Sequence, residues 1–226
     1  MQPDIKNIYR AHEFKFTDYL NSLRQELADD FLKNHPTWTD AAAPSVFEYT
    51  DMGSAHQDIN NRNSNIQDSW NFVPIKSMVT QEIYEQHREK YPTIFKLSDK
   101  FGVECTNLVY TSLDPGSMIK RHTGDENREA KNVRIHIPLI VPQGDIGMEV
   151  WGEEVRWDNV FAFNNQKTHS VWNLTSERRL IVLMDLTRKI CDLPPASAWY
   201  PGCNDSSPPF PKTAVEGDVW QNSIKR

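Results

Sequence analysis

The residues best suited to chemistry are two histidines and an arginine. His122 opens the triplet His122-Thr123-Gly124, and His169 lies beyond a run of short strand-like segments. Arg179 follows His169 by ten residues and heads an apolar run. Imidazole nitrogens bind transition metals, and a guanidinium grips a carboxylate through two parallel hydrogen bonds. The spacing predicts an iron site beside a pocket for a dicarboxylate.

The two histidines are expected at strand ends. His122 follows a strand that ends near Leu113 and a turn at 114–117, whereas His169 follows the apolar strand 160–163. Strand ends far apart in sequence can meet in space. A lone histidine is more often structural than a metal ligand, so the prediction depends on the pair together with nearby arginines.

A further basic pair lies in the segment Arg134-Ile135-His136-Ile137-Pro138. On a strand, Arg134 and His136 share one face and the isoleucines share the other. If that face points into the fold, the two side chains indicate an anionic ligand. The alternative is that both lie on the solvent face of an amphipathic strand.

Arg179 begins the run Arg179–Asp185, which is apolar on both faces and is therefore expected at the centre of the fold. An arginine at the head of such a strand needs an anionic partner, because an unpaired buried charge is unfavourable. The partner is either a ligand carboxylate or a local Asp or Glu in an ordinary salt bridge.

Hydrophobic periodicity predicts the elements that position these residues. A helix is expected over 14–33, ending before Pro36, and a second over 76–90, ending before Pro92. The polar stretch 50–70 is expected to be a loop, and a hairpin turn is expected at 152–154. Strands are predicted at 107–113, 132–140, 147–151, 154–157, 160–163 and 179–186.

Many short strands joined by turns favour a mainly β fold with flanking helices, a double-stranded β-helix (jelly roll, cupin-like). The expected organisation is a single domain over 1–226. It comprises a helical and loop N-terminal portion over 1–100, a β-helix core over 105–188, and a proline-rich packed tail over 189–226.

Composition narrows the class of protein. The chain has 226 residues, 38% hydrophobic and 25% charged, as expected for a globular domain. Its net charge of -6 argues against binding a nucleic-acid duplex. The sequence shows no apolar run long enough to span a membrane and no signal peptide. A cytoplasmic location is therefore expected. Cys105, Cys191 and Cys203 are expected as reduced thiols, with a Cys191–Cys203 disulfide as the alternative.

The segment from Thr111 to Asp185 resembles the aspartyl/asparaginyl β-hydroxylase family of iron(II)- and 2-oxoglutarate-dependent oxygenases. The matching elements are Pro115-Gly116, His122-Thr123-Gly124, Arg134-x-His136, Trp157, Phe163-Asn164-Asn165, His169-x-Val171-Trp172, and Arg179 with Asp185. The resemblance implies a double-stranded β-helix that holds Fe(II) and 2-oxoglutarate, and hydroxylation of an unactivated C–H bond by O2 with release of succinate and CO2.

The resemblance also implies roles for individual residues. His122 and His169 correspond to the iron ligands. Arg179 corresponds to the partner of the distal carboxylate of 2-oxoglutarate, helped by the Thr111 hydroxyl. The residues that correspond to partners of the carboxylate nearest the metal are Arg134 and His136.

The chain departs from the wider iron class at Gly124, where most relatives carry a carboxylate ligand. Asp125 is one residue out of register. The family's Phe-Asp-Asp is Phe163-Asn164-Asn165 here. Gly124, Arg121 and Trp172 are expected to border the open coordination site or the substrate. Lys120 and Arg128 could likewise bind an acidic group.

The expected substrate is a small polar molecule, an amino acid or a related metabolite. Gly124 would leave room for water, compatible with hydroxylation, or for chloride, as in iron halogenases. A metal-free jelly-roll binding protein is the alternative from another class. A zinc hydrolase is disfavoured, because a third ligand and a general base are not evident. The sequence leaves the oligomeric state open.

Overall fold

The structure, a computed structural model, describes residues 8–10, 13–39, 70–77, 80–122, 132–165 and 167–193. Strands arranged in two antiparallel sheets form the largest part of the regular secondary structure among these residues. They are β1 Ile8–Tyr9, β2 Trp70–Lys76, β3 Cys105–Leu113, β4 Ser117–His122, β5 Asn132–Ile140, β6 Ile146–Val150, β7 Glu153–Val155, β8 Phe161–Phe163, β9 His169–Asn173 and β10 Arg179–Thr187.

The two sheets face each other as a jelly roll. The larger, the major sheet, has the strand order β1-β8-β5-β10-β3-β2, and the smaller, the minor sheet, has the order β4-β9-β6-β7. An apolar cluster between them takes Leu113 and Ile181 from the major sheet and Met148 and Val171 from the minor sheet. The predicted mainly β, double-stranded β-helix fold is therefore confirmed.

Strand β10 is central, as its two apolar faces predict. It pairs with β3 on one side and β5 on the other, and its first eight residues are buried. Leu180, Val182 and Met184 belong to the cluster beneath the helices, whereas Ile181 belongs to the cluster between the sheets. Since side chains alternate along a strand, Arg179 lies on the Ile181 side, inside the sandwich.

Three α-helices accompany the sheets in the described part of the chain: α1 Thr17–Ser22, α2 Arg24–Asn34 and α3 Pro92–Phe101. They cover the outer face of the major sheet, where Leu27 and Phe31 of α2 join Tyr110 of β3 in one apolar cluster. The Tyr110 hydroxyl donates to the Leu27 carbonyl at 3.1 Å, which satisfies a polar group within that core. Among these helices, none is long and apolar enough to cross a membrane.

The prediction of a helix over 76–90 is wrong, whereas the one over 14–33 corresponds to α1 and α2. Lys76 ends β2 and forms a bridge with Ile83, and the Tyr84 amide donates to the Ile75 carbonyl at 2.9 Å. This backbone is hydrogen-bonded to the sheet and is unavailable to a helix. The helix begins at Pro92, because proline suits the first helical position.

Two strands that the alternation pattern missed are β4 and β9, and these carry the histidines. The first hundred residues also contribute β1 and β2 to the major sheet, so that portion is more than helices and loops. The predicted 50–70 loop lies outside the described residues except for Trp70, which begins β2. Of the predicted tail, the described residues end at Leu193.

A hairpin turn joins β6 and β7, but it lies at 151–152, whereas the prediction had it at 152–154. Val150 pairs with Glu153, which leaves a two-residue loop of Trp151 and Gly152. Both have positive φ, 53° and 84°, as a type I′ turn requires. Glycine is favoured at the second position because left-handed backbone has no steric cost there.

Gly147 of β6 lies against the Trp172 ring on the outer face of the minor sheet. The two residues are cross-strand partners, and a Cβ added to Gly147 would lie 2.6 Å from Cζ2 of Trp172. The indole also donates to the Asp145 carboxylate at 2.8 Å, which fixes the ring over the glycine. A side chain at position 147 therefore needs the ring to move.

Gly147→Ala should lower the free energy of unfolding by about 1–3 kcal/mol, because the added methyl overpacks a fixed ring. Urea denaturation measures the change. Trp172→Phe removes the clashing ring atoms, so Gly147→Ala should cost less in that background. Equal costs in both backgrounds would contradict this packing.

Candidate functional site

The backbone brings the two histidine positions together. His122 ends β4, His169 begins β9, and the two are direct cross-strand partners. Directly opposed residues in an antiparallel pair have Cα atoms about 4.5–5.5 Å apart. The register shifts between Ile119 and His122, and this irregularity sets which residue of β4 meets His169.

The His169 ring is buried and is oriented by its own loop. Its Nδ1 lies 2.8 Å from the Lys167 carbonyl oxygen. A carbonyl only accepts, so Nδ1 donates, and in the neutral ring the lone pair lies on Nε2. Metal-binding histidines are commonly oriented by such a bond. The edge of the Phe163 ring, 5.3 Å away between centroids, further restricts the imidazole.

Arg179 is a buried cation whose charge is poorly compensated. Its side chain is 1% exposed, and Nε and Nη1 have no hydrogen-bond partner among the described residues. Burial lowers its pKa to about 9, still above neutral, so the guanidinium is charged at pH 7. The face of Trp157 lies 4.7 Å from the guanidinium carbon, which supports the charge without neutralising it.

Thr111 lies on the same inner face as Arg179. It is paired with Ile181, two residues along β10 from Arg179. Its hydroxyl oxygen accepts a hydrogen bond from the Trp70 indole at 2.7 Å. Trp70 therefore orients the hydroxyl, whose own hydrogen can still be donated.

His136 is buried in an aromatic setting on β5. Phe161 and Phe163 lie 5.3 and 5.1 Å away between ring centroids, both edge-on. The Trp157 indole N–H donates to His136 Nδ1 at 3.3 Å. Burial, aided by the charges of Arg179 and Arg134, lowers the pKa of His136 well below its usual value. The ring is therefore neutral at pH 7.

Arg134 forms a two-pronged ion pair with Asp185. Its Nε and Nη2 each donate to a different carboxylate oxygen at 2.8 Å, and both side chains are buried. The alternative that Arg134 and His136 face solvent is wrong, since they are 8% and 4% exposed. In this structure Arg134 pairs with the Asp185 carboxylate, and its role as a partner of a ligand carboxylate stays a prediction.

Of the other predicted site residues, the structure describes the side chain of Trp172 but neither that of Arg121 nor Gly124. Trp172 alternates with His169 and Val171 along β9 and packs over Gly147 on the outer face. Trp172 therefore does not line the space between the sheets, whereas it was predicted to border the open coordination site or the substrate. Gly124 lies outside the described residues, as do Asp125 and Arg128, and the side chains of Arg121 and Lys120 are outside them as well. No group of three or more His, Cys, Asp or Glu within the described ranges is arranged to hold a metal.

Sequence reasoning overlooked three contacts. These are the hydrogen bonds that Trp157 donates to His136, that Arg134 donates to Asp185 and that Trp70 donates to Thr111. Trp157 and Asp185 were already visible as matching positions, but their type alone gives no partner. Nothing in the sequence indicated the contact between Trp70 and Thr111, because the segment 50–70 shows no strand periodicity before residue 70.

Cys105 and Cys191 are free and buried, as expected for reduced thiols. Burial raises the pKa of each to about 12, so neither is a reactive thiolate at neutral pH. Cys203, the other half of the alternative disulfide, lies outside the described residues.

Asp185→Ala should lower the free energy of unfolding by about 3–5 kcal/mol, because it leaves the buried Arg134 guanidinium without its carboxylate. Chemical denaturation measures the loss. The double variant Arg134→Met/Asp185→Leu removes both charges and should recover most of the stability. A single variant as stable as the parent would contradict a buried pair.

Comparison of the sequence with known proteins identifies a family. A sequence model described as "Aspartyl/Asparaginyl beta-hydroxylase" matches residues 35–189. The chain is 28% identical over 93 residues to the mouse aspartyl/asparaginyl beta-hydroxylase and 27% identical over 93 residues to the human one. Each match covers 40% of this chain and 12% of the relative.

Solved structures with a similar architecture are distant. A cupin domain of a transcriptional regulator from Enterobacter cloacae has a TM-score of 0.34 at 14% identity, covering 52% of this chain and 96% of that one. A recombinant oxalate oxidase in complex with glycolate has a TM-score of 0.32 at 10% identity, covering 66% and 61%. The family match spans well over half of the chain and includes both histidine positions and the buried arginine: the chain belongs to the aspartyl/asparaginyl β-hydroxylase family.

Proposed function

We propose that this protein is an Fe(II)- and 2-oxoglutarate-dependent dioxygenase that hydroxylates an unactivated C–H bond of a small polar substrate. The observation that carries the proposal is Arg179. A charged guanidinium with two donor atoms unpartnered in the described structure, inside the sandwich, calls for an anionic ligand.

The pocket residues fit 2-oxoglutarate. A ligand carboxylate would accept from the Nη1 donor of Arg179, and Nε offers a further N–H on another edge of the same guanidinium. Thr111 can donate from the same face of the sheet. His136, neutral and hydrogen-bonded through Nδ1, has an Nε2–H to offer to an acceptor.

His122 and His169 would hold the metal. Their direct pairing supports this role, and His169 has the tautomer that leaves Nε2 as the ligating nitrogen. Fe(II) with 2-oxoglutarate and O2, when bound, supplies the oxidising chemistry, with release of succinate and CO2. The protein's part is to bind and orient the cosubstrate and to exclude water with the apolar walls between the sheets.

The identity of the substrate is a separate part of this proposal. The curated relatives are named for aspartyl and asparaginyl β-hydroxylation, and the chain matches 12% of their length. We propose a free amino acid or related small metabolite. The basic residues near His122, which are Lys120, Arg121 and Arg128, could bind an acidic group on it.

Arg179→Met should weaken the binding of 2-oxoglutarate and stabilise the substrate-free protein. Losing a buried carboxylate partner should weaken 2-oxoglutarate binding by about 2–5 kcal/mol. Removing an uncompensated buried charge should raise the free energy of unfolding, by about 1–4 kcal/mol. Calorimetric titration and urea denaturation measure the two effects. Unchanged 2-oxoglutarate affinity would contradict the assignment.

Anaerobic addition of Fe(II) and 2-oxoglutarate should produce a weak visible charge-transfer band that His169→Ala and Arg179→Met both lose. A panel of amino acids and aspartyl or asparaginyl peptides, scored by succinate release and product mass, then identifies the substrate. A gain of one oxygen atom supports hydroxylation. Neither band nor succinate with any compound would favour a metal-free binding protein.

Halogenation is the second candidate, and Gly124 motivates it. Glycine stands where most proteins of this iron class carry a carboxylate ligand. Parallel reactions with and without chloride separate the two, because only halogenation adds chlorine to the product mass. A chlorinated product would replace the hydroxylase proposal.

A further inference from the structure

Trp157 links the two parts of the proposed 2-oxoglutarate pocket. Arg179 and the β10 partner of His136, Leu183, are four residues apart on β10. At about 3.3 Å per residue, this separates the two backbone positions by about 13 Å along the sheet. Trp157, which is 3% exposed in the turn between β7 and β8, contacts both side chains.

The contact with His136 selects a tautomer. The indole N–H has only a donor to offer, and His136 Nδ1 lies 3.3 Å from it. Nδ1 must therefore accept, and the hydrogen of the neutral ring must be on Nε2. With phenylalanine rings edge-on to the imidazole, this bond is the feature that distinguishes its two nitrogens.

The contact with Arg179 positions the charge. The guanidinium carbon lies 4.7 Å from the ring centroid of Trp157, within the range of a cation–π interaction. This contact restrains the guanidinium, whose N–H donors lie along the edges of its plane. Nε and Nη1, the donors without a partner in the described structure, are edge groups of this kind.

We propose that Trp157 is the positioning residue of this pocket, holding His136 in the Nε2–H tautomer through its indole N–H and Arg179 through its ring face. The proposal deepens the proposed function, because it concerns the same cosubstrate. Its tautomer part stands without any ligand, and this allows the two to be tested separately.

The first experiment uses the full chain without metal or cosubstrate. Nitrogen-15 labelling of histidine allows NMR to tell the protonated ring nitrogen from the bare one, with His136→Gln used to assign the signals. The wild-type protein should show His136 with hydrogen on Nε2, and Trp157→Phe should give a mixture of tautomers. Hydrogen on Nδ1 in the wild type, or an unchanged single tautomer in Trp157→Phe, would overturn the proposal.

The wild-type measurement needs no variant, so the test survives if Trp157→Phe fails to fold. Trp38→Phe is the matched control. Trp38 is also buried, but its indole nitrogen has no hydrogen-bond partner among the described residues and its ring packs on Phe31 beneath the helices. This variant should leave the His136 tautomer unchanged.

The second experiment titrates 2-oxoglutarate by calorimetry into protein loaded with Zn²⁺, which has no redox chemistry. Trp157→Phe keeps a ring but loses the N–H, and should weaken binding about three- to tenfold. Trp157→Leu also loses the stacking and should weaken it about thirtyfold. In the His136→Leu background, Trp157→Phe should have little further effect, because leucine offers the indole N–H no acceptor.

The two failures are distinguishable. If wild-type protein does not bind 2-oxoglutarate, the proposed function fails while the tautomer result still decides the role of Trp157. If the wild type binds and Trp157→Phe binds equally well, the positioning proposal fails and the proposed function stands.

Discussion

The buried guanidinium of Arg179 is the feature on which the rest of the site depends. A charge inside a protein is unfavourable unless a counterion lies beside it. Arg179 is fully buried at the head of the central strand, and two of its donors lack a partner in the described structure. Retaining such a charge lowers the stability of the substrate-free fold. In the proposed function, the carboxylate of a ligand would supply the missing counterion.

The two buried arginines of the major sheet differ in their partners. Both arginines lie on inner faces of the major sheet, but Arg134 is neutralised by Asp185 through two bonds of 2.8 Å. The fold can therefore provide an internal carboxylate next to a buried arginine. Arg179 has the stacking contact with Trp157 in that place, which restrains the cation without occupying its donors.

The imidazoles show the same principle of orientation by a neighbour. His169 donates from Nδ1 to a backbone carbonyl, whereas His136 accepts at Nδ1 from an indole. The two rings consequently have opposite tautomers when neutral. One offers a lone pair at Nε2, as a metal requires, and the other offers a hydrogen at Nε2, as a carboxylate requires. This difference in hydrogen-bond partners underlies the roles proposed for each.

The sequence determined the fold class and the central place of β10, and it singled out His122, His169 and Arg179 as candidates, because alternation and residue type are local signals. It could not predict β4, β9 or the start of α3. Short strands such as β9 are defined by their neighbours, and the histidines meet only through the β4–β9 register. The tertiary structure alone decided the partner of each polar side chain. The contact between Arg134 and Asp185, for example, joins residues 51 positions apart and depends on how the strands pair.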